Sequence, residues 1–350
     1  MSNKNNRLKI IDILYKKWAG EEFQSIVPLP SSGSYREYYR ITGNNGSVLG
    51  VYNEDIEENI AFITYSEHFT QLGLNVPRLH IVAEDKISYI IEDLGDTTLF
   101  KFIENNPLSN PVNLGKAKFT YFKVIDELLR IQLNGVNGLD LSVAFPRAAF
   151  DEQSIMWDLN YFKYYFVKLF KVQFHEQRLE NDFHQFASYL LTTNCNYFLF
   201  RDFQSRNIML CNDKVFLIDY QGGRKGALQY DLASLLYEAK VNLPDSLRNE
   251  LFQYYIDQIS KHVKIEMAEF TKMYNAYVLI RMMQAMGAYG FRGIIERKQL
   301  FIDSIPPTIK NLEKIIKEIT IIDELKELKH VFNQIVTSEI IKNYTNKQEC

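Results

Sequence analysis

The chain has 350 residues, 46% of them apolar, and 43 acidic side chains against 40 basic ones give a formal net charge of −3. This length is sufficient for a large core or for two lobes. The balance of charge excludes the strongly basic class of nucleic-acid-binding proteins, which depend on clustered Lys and Arg.

The cysteines and charges favour a cytoplasmic protein that makes no membrane contact. Three cysteines, an odd number, lack paired or metal-binding spacing, as expected in a reducing compartment. The first apolar pattern includes Asp12, Lys16 and Lys17, so it predicts neither a signal peptide nor an anchor. The most apolar later stretch, 277–295, includes Arg281. A charge near the centre of a bilayer costs about 2.5 kcal/mol or more, so this stretch predicts a buried helix.

The N-terminal region predicts a helix followed by three strands. Apolar residues recur at helical spacing from Leu8 to Trp18. We expect this helix to end near Gly20 and to pack on the outside of the first lobe. Residues 26–41 predict two strands joined by a loop, and residues 48–52 predict the third strand.

The loop between the first two strands consists of Ser31, Ser32, Gly33 and Ser34. Small side chains let backbone amides approach phosphate oxygens closely, so the loop is a candidate nucleotide-binding element. An ordinary hairpin turn fits these residues equally well.

Beyond the third strand, the pattern predicts a helix, a hairpin and then a mainly helical region. Residues 56–72 predict a helix that ends at Gly73, and residues 79–83 and 87–91 predict the two strands of a hairpin. Later helices are predicted at 97–105, 114–133, 151–172, 179–191, 247–263, 267–289, 309–319 and 325–341.

The stretch 198–237 carries the candidate chemistry. Asp202 precedes Asn207 by five residues in a polar loop, and two short apolar runs then predict a hairpin that Asp219 closes. Transfer of a phosphoryl group requires a carboxylate that orients the attacking hydroxyl and oxygen ligands for Mg²⁺. We therefore interpret Asp202 as the catalytic base and Asn207 and Asp219 as metal ligands, in the order used by protein kinases and their small-molecule relatives. The alternative is a solvated loop beside a strand-end aspartate.

The same stretch resembles a known family. The segments FRDFQSRNIML, LIDYQGG and YDLASLLYEA, which begin at Phe200, Leu217 and Tyr230, are similar to the catalytic motif of the aminoglycoside phosphotransferase and choline kinase superfamily. The pattern is especially similar to the branch that contains the anomeric kinases of N-acetylmuramate and N-acetylglucosamine. Phe200 replaces the histidine that usually begins and braces this loop, which removes no group that touches phosphate.

The resemblance implies an α+β, two-lobed protein-kinase-like fold. A nucleotide-binding lobe with a small antiparallel sheet is expected in residues 1–94, and a mainly helical lobe with the catalytic loop and the acceptor site in residues 95–350. The resemblance also implies ATP and Mg²⁺ as cofactors. At the hinge, backbone groups near Glu92 and Leu94 are expected to bind the adenine edge, and GTP stays an alternative because main-chain atoms would make those bonds.

The resemblance extends to the first lobe but is incomplete there. The segment GSYREYYR, which begins at Gly33, is similar to the G-S-x-R-x-Y-x-R pattern of the murein-sugar kinases, and it implies that the loop 31–34 covers the phosphates. The third strand lacks the lysine that pairs with the phosphates in most kinases and has Gly50 instead.

Two arginines are candidates for the missing positive charge. Guanidinium groups match phosphate oxygens with two parallel bonds, so Arg36 or Arg40 would supply it. The alternative is that both lie at the surface and pair with Glu37 or Glu54. Glu58 matches the glutamate that normally holds the lysine, and it would here pair with an arginine or have no catalytic role.

The region after the hairpin favours a small acceptor. Only eleven residues separate Asp219 from Asp231, without the A-P-E motif that a peptide-phosphorylating kinase needs. Asp231 fits a helix N-cap, and the resemblance implies that it also bonds to the catalytic loop. Arg281 and Gln284 share one face of a predicted helix and are candidates for contact with the substrate.

The predicted function is ATP- and Mg²⁺-dependent transfer of the γ-phosphoryl group to a hydroxyl of a small polar acceptor, an amino sugar. Two alternatives stay open. One is an altered kinase that binds nucleotide without turnover, suggested by the missing lysine and by Phe200. The other is a protein-interaction module built on the helical lobe.

Overall fold

The computed structural model describes residues 2–30 and 36–346. The strands are β1 Ser25–Pro28, β2 Glu37–Gly43, β3 Gly46–Tyr52, β4 Leu79–Val82, β5 Ser88–Glu92, β6 Tyr197–Leu199, β7 Ile208–Cys211, β8 Lys214–Leu217 and β9 Arg224–Gly226. The α-helices are α1 Ser2–Ala19, α2 Ile56–Gln71, α3 Leu99–Asn105, α4 Pro111–Asn134, α5 Glu152–Phe162, α6 Glu176–Leu190, α7 Leu228–Leu236, α8 Asp245–Ile259, α9 Met267–Ala288, α10 Gln299–Ile302, α11 Ile305–Ile315, α12 Lys326–Thr337 and α13 Glu339–Asn346. The α+β class with a small antiparallel sheet and a large helical part is confirmed.

The N-terminal sheet has the strand order β1-β2-β3-β5-β4, and each neighbouring pair is antiparallel. Helix α1 covers one face of the sheet, where Ile11 and Leu14 pack with Ile41 and Ile90 in a small separate core. The helix ends before Gly20, whose φ of +71° is the left-handed conformation that favours glycine after a helix. The predicted end and the predicted packing of this helix are both confirmed.

Helix α2 covers the other face of the sheet and joins it to the helical part of the chain. Its Asp55 N-cap accepts a hydrogen bond from the Glu58 amide at 3.0 Å. The Phe62 ring lies 5.0 Å from the Tyr89 ring of β5 and 5.3 Å from the Tyr220 ring, stacked on both. One continuous core therefore runs from the sheet into the helices.

The hairpin of β7 and β8 is confirmed. Its two turn residues, Asn212 and Asp213, have φ values of +50° and +61°. Two left-handed residues in a two-residue loop form the turn whose twist matches that of the paired strands.

Several predicted helices are shorter than the apolar pattern indicated. The helix predicted at 151–172 leaves α-geometry after Phe162, where Lys168 N–H donates to the carbonyl of Lys163, five residues back, at 2.9 Å. The helix predicted at 325–341 is two helices, because Ser338 is extended with a ψ of 113°.

A close backbone contact explains where α9 and α5 lose α-geometry. After α9 the chain continues as a wide helical turn, Tyr289–Ile295, that packs against the corresponding turn after α5, Lys163–Val167. A Cβ on Gly290 would lie 1.6 Å from the carbonyl oxygen of Tyr165. Only glycine allows the two turns to approach this closely.

Among the described residues, no helix is both long and apolar enough to cross a membrane.

Candidate functional site

The loop from Phe200 to Asn207 connects β6 to β7, and a buried carboxylate holds its start. Asp231 accepts hydrogen bonds from the backbone N–H groups of Phe200 at 2.7 Å and of Arg201 at 3.0 Å. Asp231 lies inside the first turn of α7, which begins after Ala227, so the N-cap interpretation was wrong and the bond to the loop is confirmed. Burial raises the pKa of the Asp231 carboxyl to about 7, although the two N–H donors oppose this shift.

The side chain of Arg201 is fixed by contacts with residues other than Asp202, the candidate base. Its backbone has a φ of +83°, which is unusual for a residue with a side chain. Its guanidinium forms a bidentate ion pair with Asp158, at 2.7 Å and 2.6 Å, and also donates to the Tyr230 hydroxyl. Phe200, which replaces the usual histidine, is buried against Phe203. Apolar packing thus braces the loop.

Asp202 is open to a substrate. Its side chain is 48% exposed, and its Oδ1 lies 3.7 Å from Nη2 of Arg281. Arg281 is itself held by the Ser234 hydroxyl at 3.0 Å and by Gln284. Burial of the loop would raise the pKa of Asp202, but the positive field of Arg281 and Arg201 outweighs it and keeps the pKa below its usual value. The carboxylate is therefore ionised at neutral pH.

Asn207 is hydrogen-bonded to both Asp202 and Asp219. Its Nδ2 donates to the Asp202 carbonyl oxygen at 2.9 Å and to Oδ2 of Asp219 at 3.2 Å. The amide oxygen of Asn207, which is the atom a cation would bind, is the other end of the same group. Asp219 has a φ of +70° and turns at the end of the hairpin. The structure brings Asp202, Asn207 and Asp219 together.

These residues fit a magnesium ion that also binds phosphate. Within residues 2–30 and 36–346, no group of three or more His, Cys, Asp and Glu side chains is arranged to hold a metal. Magnesium is commonly held by one or two carboxylates, with substrate phosphates and waters as the remaining ligands. Asp219 and Asn207 are such an incomplete oxygen donor set.

A buried network connects Asp219 to helix α2 and to the residue before β2. Gln221 Nε2 donates to Asp219 Oδ1 at 3.0 Å and to Glu58 Oε1 at 3.1 Å. Glu58 also lies 3.3 Å from Nη2 of Arg36, whose guanidinium stands 5.3 Å above the Phe62 ring. Burial lowers the pKa of Arg36, but Tyr38 and Glu58 more than compensate, so the group stays charged. The expectation that Glu58 pairs with an arginine is confirmed.

The prediction that Gly50 occupies the position of the phosphate-binding lysine was wrong. Gly50 faces α1, because a Cβ there would lie 2.5 Å from Cγ2 of Ile11. Side chains alternate along a strand, so the next residue, Val51, faces α2 and packs with Phe62 and Tyr89. A lysine at position 50 could not reach the cleft.

Arg40 holds the segment that follows β5. Its guanidinium donates to Asp93 at 2.6 Å and 3.0 Å and to Asp96 at 3.1 Å and 3.0 Å. Arg36 is buried and pairs with Glu58, so it is not a surface residue. Glu37 and Glu54, the partners expected in the surface alternative, pair with Arg7. That alternative was wrong, and Arg40 is committed to the two aspartates.

The hinge prediction falls at the end of β5. Glu92 is the last residue of that strand, and its N–H donates to the carbonyl of Arg78 at 2.9 Å. Leu94 is buried two residues later. Of the Glu92 backbone, the carbonyl oxygen is therefore the candidate for an adenine contact. The predicted phosphate loop, Ser31, Ser32, Gly33 and Ser34, lies outside the described residues.

Asp202 and Asp219 line one cavity of about 220 Å³. Glu58, Gln221 and Arg224 are also in its wall. A larger cleft of about 350 Å³ lies between α4 and α8 and contains none of the predicted site residues, so the smaller cavity is the candidate site.

Sequence reasoning missed Gln221 and Arg224 as parts of this wall. Both stand in the segment that directly follows Asp219, and that position was the available signal.

Comparison with known proteins matches most of the chain to one family. The model described as the phosphotransferase enzyme family matches residues 25–265. The N-acetylmuramate/N-acetylglucosamine kinase of Pseudomonas aeruginosa is 23% identical over 235 residues, which are 65% of this chain and 64% of that protein. The protein of the same name from Pseudomonas putida is 22% identical over 321 residues, 89% of each chain.

Among solved structures, the choline kinase of Cryptosporidium parvum Iowa II has a TM-score of 0.61 and 12% sequence identity. The match covers 92% of this chain and 98% of the choline kinase. This similarity confirms the predicted kinase-like fold.

Proposed function

The chain belongs to the phosphotransferase enzyme family, and from this premise we propose that it transfers the γ-phosphoryl group of ATP to a hydroxyl of an amino sugar. The family match and the kinase relatives confirm the coarser prediction of a phosphotransferase with an alcohol group as acceptor. The amino sugar is supported by the names of the two Pseudomonas relatives. The observation that carries the proposal is that Asp202 and Asp219 line one cavity. Asn207 is hydrogen-bonded to the backbone of the first and to the carboxylate of the second.

Asp202 orients the acceptor and receives its proton. The acceptor oxygen forms a bond to the γ-phosphorus while the bond from that phosphorus to the bridging oxygen breaks, and ADP leaves with the bridging oxygen. The hydroxyl proton passes to the Asp202 carboxylate late in the step. An exposed carboxylate with a lowered pKa suits positioning of the hydroxyl better than early proton removal.

Asn207 and Asp219 would hold Mg²⁺ through the amide oxygen and the carboxylate. A bound Mg²⁺ would neutralise negative charge on the phosphate oxygens. Gln221 and Asn207 each donate to one carboxylate oxygen of Asp219, which fixes the orientation of the group before any ligand arrives. Preorganisation of this kind avoids the free-energy cost of reorienting the ligand during the reaction.

Arg36 supplies the positive charge that a third-strand lysine supplies in most kinases. It is fixed against Phe62 and beside Glu58, and Glu58 is linked through Gln221 to Asp219. The phosphates would thus meet a cation whose position is tied to that of the metal ligand. The backbone near Glu92 and Leu94 binds the base. The cytoplasmic location stays a prediction.

Asp202→Asn tests the proposal. The amide keeps the shape of the side chain but cannot accept the proton, so kcat should fall by about 10²- to 10⁴-fold. Asp213→Asn, in the exposed turn of the β7–β8 hairpin, is the matched control and should leave kcat unchanged, because asparagine tolerates the same left-handed backbone. The measurement is ADP release with ATP, Mg²⁺ and a panel of amino sugars, neutral hexoses, choline and aminoglycosides.

The outcomes separate the proposal from its alternatives. Near-normal turnover of Asp202→Asn would refute the role of Asp202. If ATP with Mg²⁺ raises the Tm of the wild-type protein but no acceptor releases ADP, the chain is a nucleotide-binding protein without turnover. If ATP changes neither property, a protein-interaction role is favoured.

A further inference from the structure

Arg224 is a buried cation in the wall of the candidate cavity. It begins β9 and is 5% exposed. Its guanidinium donates from Nε at 3.0 Å and from Nη2 at 2.9 Å, in both cases to the carbonyl oxygen of Gly222. Asp202 lies in the wall of the same cavity.

The other buried arginines near the site differ from Arg224 in their partners. Arg201 has the bidentate ion pair with Asp158, and Arg281 lies beside Asp202. Within the described residues, Arg224 has no ion pair, and its hydrogen bonds go to one neutral carbonyl oxygen. A buried charge without a counter-charge is unfavourable, so a ligand that brought a negative charge would stabilise this arrangement.

Arg224 shares the wall of the cavity with Arg201 and Asp202, the start of the loop that is proposed to orient the acceptor. Burial and the positive charge of Arg201 lower the pKa of Arg224 to about 10, and Tyr230 and Asp158 partly oppose this shift. The guanidinium is therefore still charged at neutral pH. Arg201 directly precedes Asp202, the residue that faces the acceptor hydroxyl, and the field of Arg224 also lowers the pKa of Asp202.

We infer that Arg224 binds a carboxylate of the acceptor, so that the preferred substrate is an acidic amino sugar and not a neutral one. This inference rests on the proposed function and narrows its substrate class. A guanidinium binds a carboxylate through charge-assisted hydrogen bonds, which are stronger than those between neutral groups. A bound neutral sugar would leave Arg224 without a counter-charge from the substrate.

Three acceptors of matched shape test the inference. N-acetylmuramate is N-acetylglucosamine with an added lactyl ether that ends in a carboxylate, and its methyl ester keeps that bulk without the charge. The wild-type protein should give the highest kcat/KM with the free acid. In Arg224→Gln, the ratio of kcat/KM for the acid to that for the ester should fall by about 10- to 100-fold, the effect of losing one charge-assisted pair. Arg224→Lys should retain part of the preference.

Lys225→Gln is the matched control. It removes a positive charge from the next residue of the same strand, which points to the opposite face, so the acid-to-ester ratio should not change. The Tm of each variant, measured alongside, checks that it is folded.

An unchanged acid-to-ester ratio in folded Arg224→Gln would overturn the inference. An equal loss with every acceptor, accompanied by a higher KM for ATP, would also overturn it and assign Arg224 to the transferred phosphoryl group. If no sugar releases ADP with the wild-type protein, the proposed function fails, and calorimetric binding of the acid and its ester then decides the inference. Tighter binding of the acid that Arg224→Gln abolishes would support it, and equal binding would overturn it.

Discussion

Replacement of Asp231 by Asn should change how the stability of the protein depends on pH. Asp231 is fully buried and accepts two backbone hydrogen bonds from the loop 200–207. The pKa of its carboxyl is about 7 in the folded chain, against an ordinary value of 3.8. Between these two pH values the folded chain keeps the proton while the unfolded chain has released it. The free energy of unfolding must therefore decrease as the pH rises through this window, and the contribution is lost above about pH 7.

The size of the effect follows from the separation of the two pKa values. Each unit corresponds to about 1.4 kcal/mol, so the wild-type protein should lose about 3 kcal/mol between pH 5 and pH 8 through this group. An asparagine does not titrate. It keeps one acceptor for the Phe200 and Arg201 amides and leaves the other amide unsatisfied, which costs about 1–3 kcal/mol at any pH. Asp231→Asn should thus be less stable than the wild type at pH 5 and about equally stable, or more stable, at pH 8.

Urea denaturation at pH 5 and pH 8, at fixed ionic strength, measures this difference. Asp55→Asn is the control, since Asp55 is an exposed helix cap and asparagine caps a helix equally well. If the stability gap between the wild type and Asp231→Asn is the same at both pH values, the reasoning about the buried carboxyl is refuted.

Two further predictions concern the packing of the helices at Gly290 and the role of the buried Arg36. Gly290→Ala should lower the free energy of unfolding by about 3 kcal/mol or more, because the new Cβ would meet the Tyr165 carbonyl, which cannot move aside. Gly115→Ala, in an open position of α4, should raise it by about 0.5–1 kcal/mol in the same denaturation experiment, and equal effects would contradict the packing argument. Arg36→Gln removes the cation beside Glu58, so it should raise the KM for ATP and lower stability by about 3–5 kcal/mol. An unchanged KM for ATP would contradict the role of Arg36 at the phosphates.

The predictable parts of the fold are those that local sequence controls. The end of α1 at Gly20 and the β7–β8 turn follow from residues that favour left-handed backbone, and both are where the pattern put them. The break at Ser338 has no proline or glycine to mark it, and the apolar pattern continues across it. The wide turns after α5 and α9 depend on contact between distant segments at Gly290, which periodicity within one helix cannot indicate.

The same division applies to the candidate site. Spacing in one stretch predicted that Asp202, Asn207 and Asp219 lie close together, because the loop and the hairpin that carry them are local structures. The ion pair of Arg201 with Asp158 joins residues 43 positions apart, and only the packing of α5 beside the loop brings them together. Gly50 was misassigned because strand alternation gives two faces but does not say which face the cleft occupies.

The attachment of α2 has a consequence for control of the protein. In regulated protein kinases, the helix that carries the conserved glutamate moves to switch activity. Here the Phe62 ring is held between two aromatic rings, the Ser66 hydroxyl bonds the Tyr220 hydroxyl at 2.6 Å, and Tyr65 donates to the Gly223 carbonyl at 3.0 Å. Swinging this helix outward would expose buried aromatic surface and break several internal bonds at once. The contacts of α2 therefore oppose an outward movement of this helix as a means of regulation.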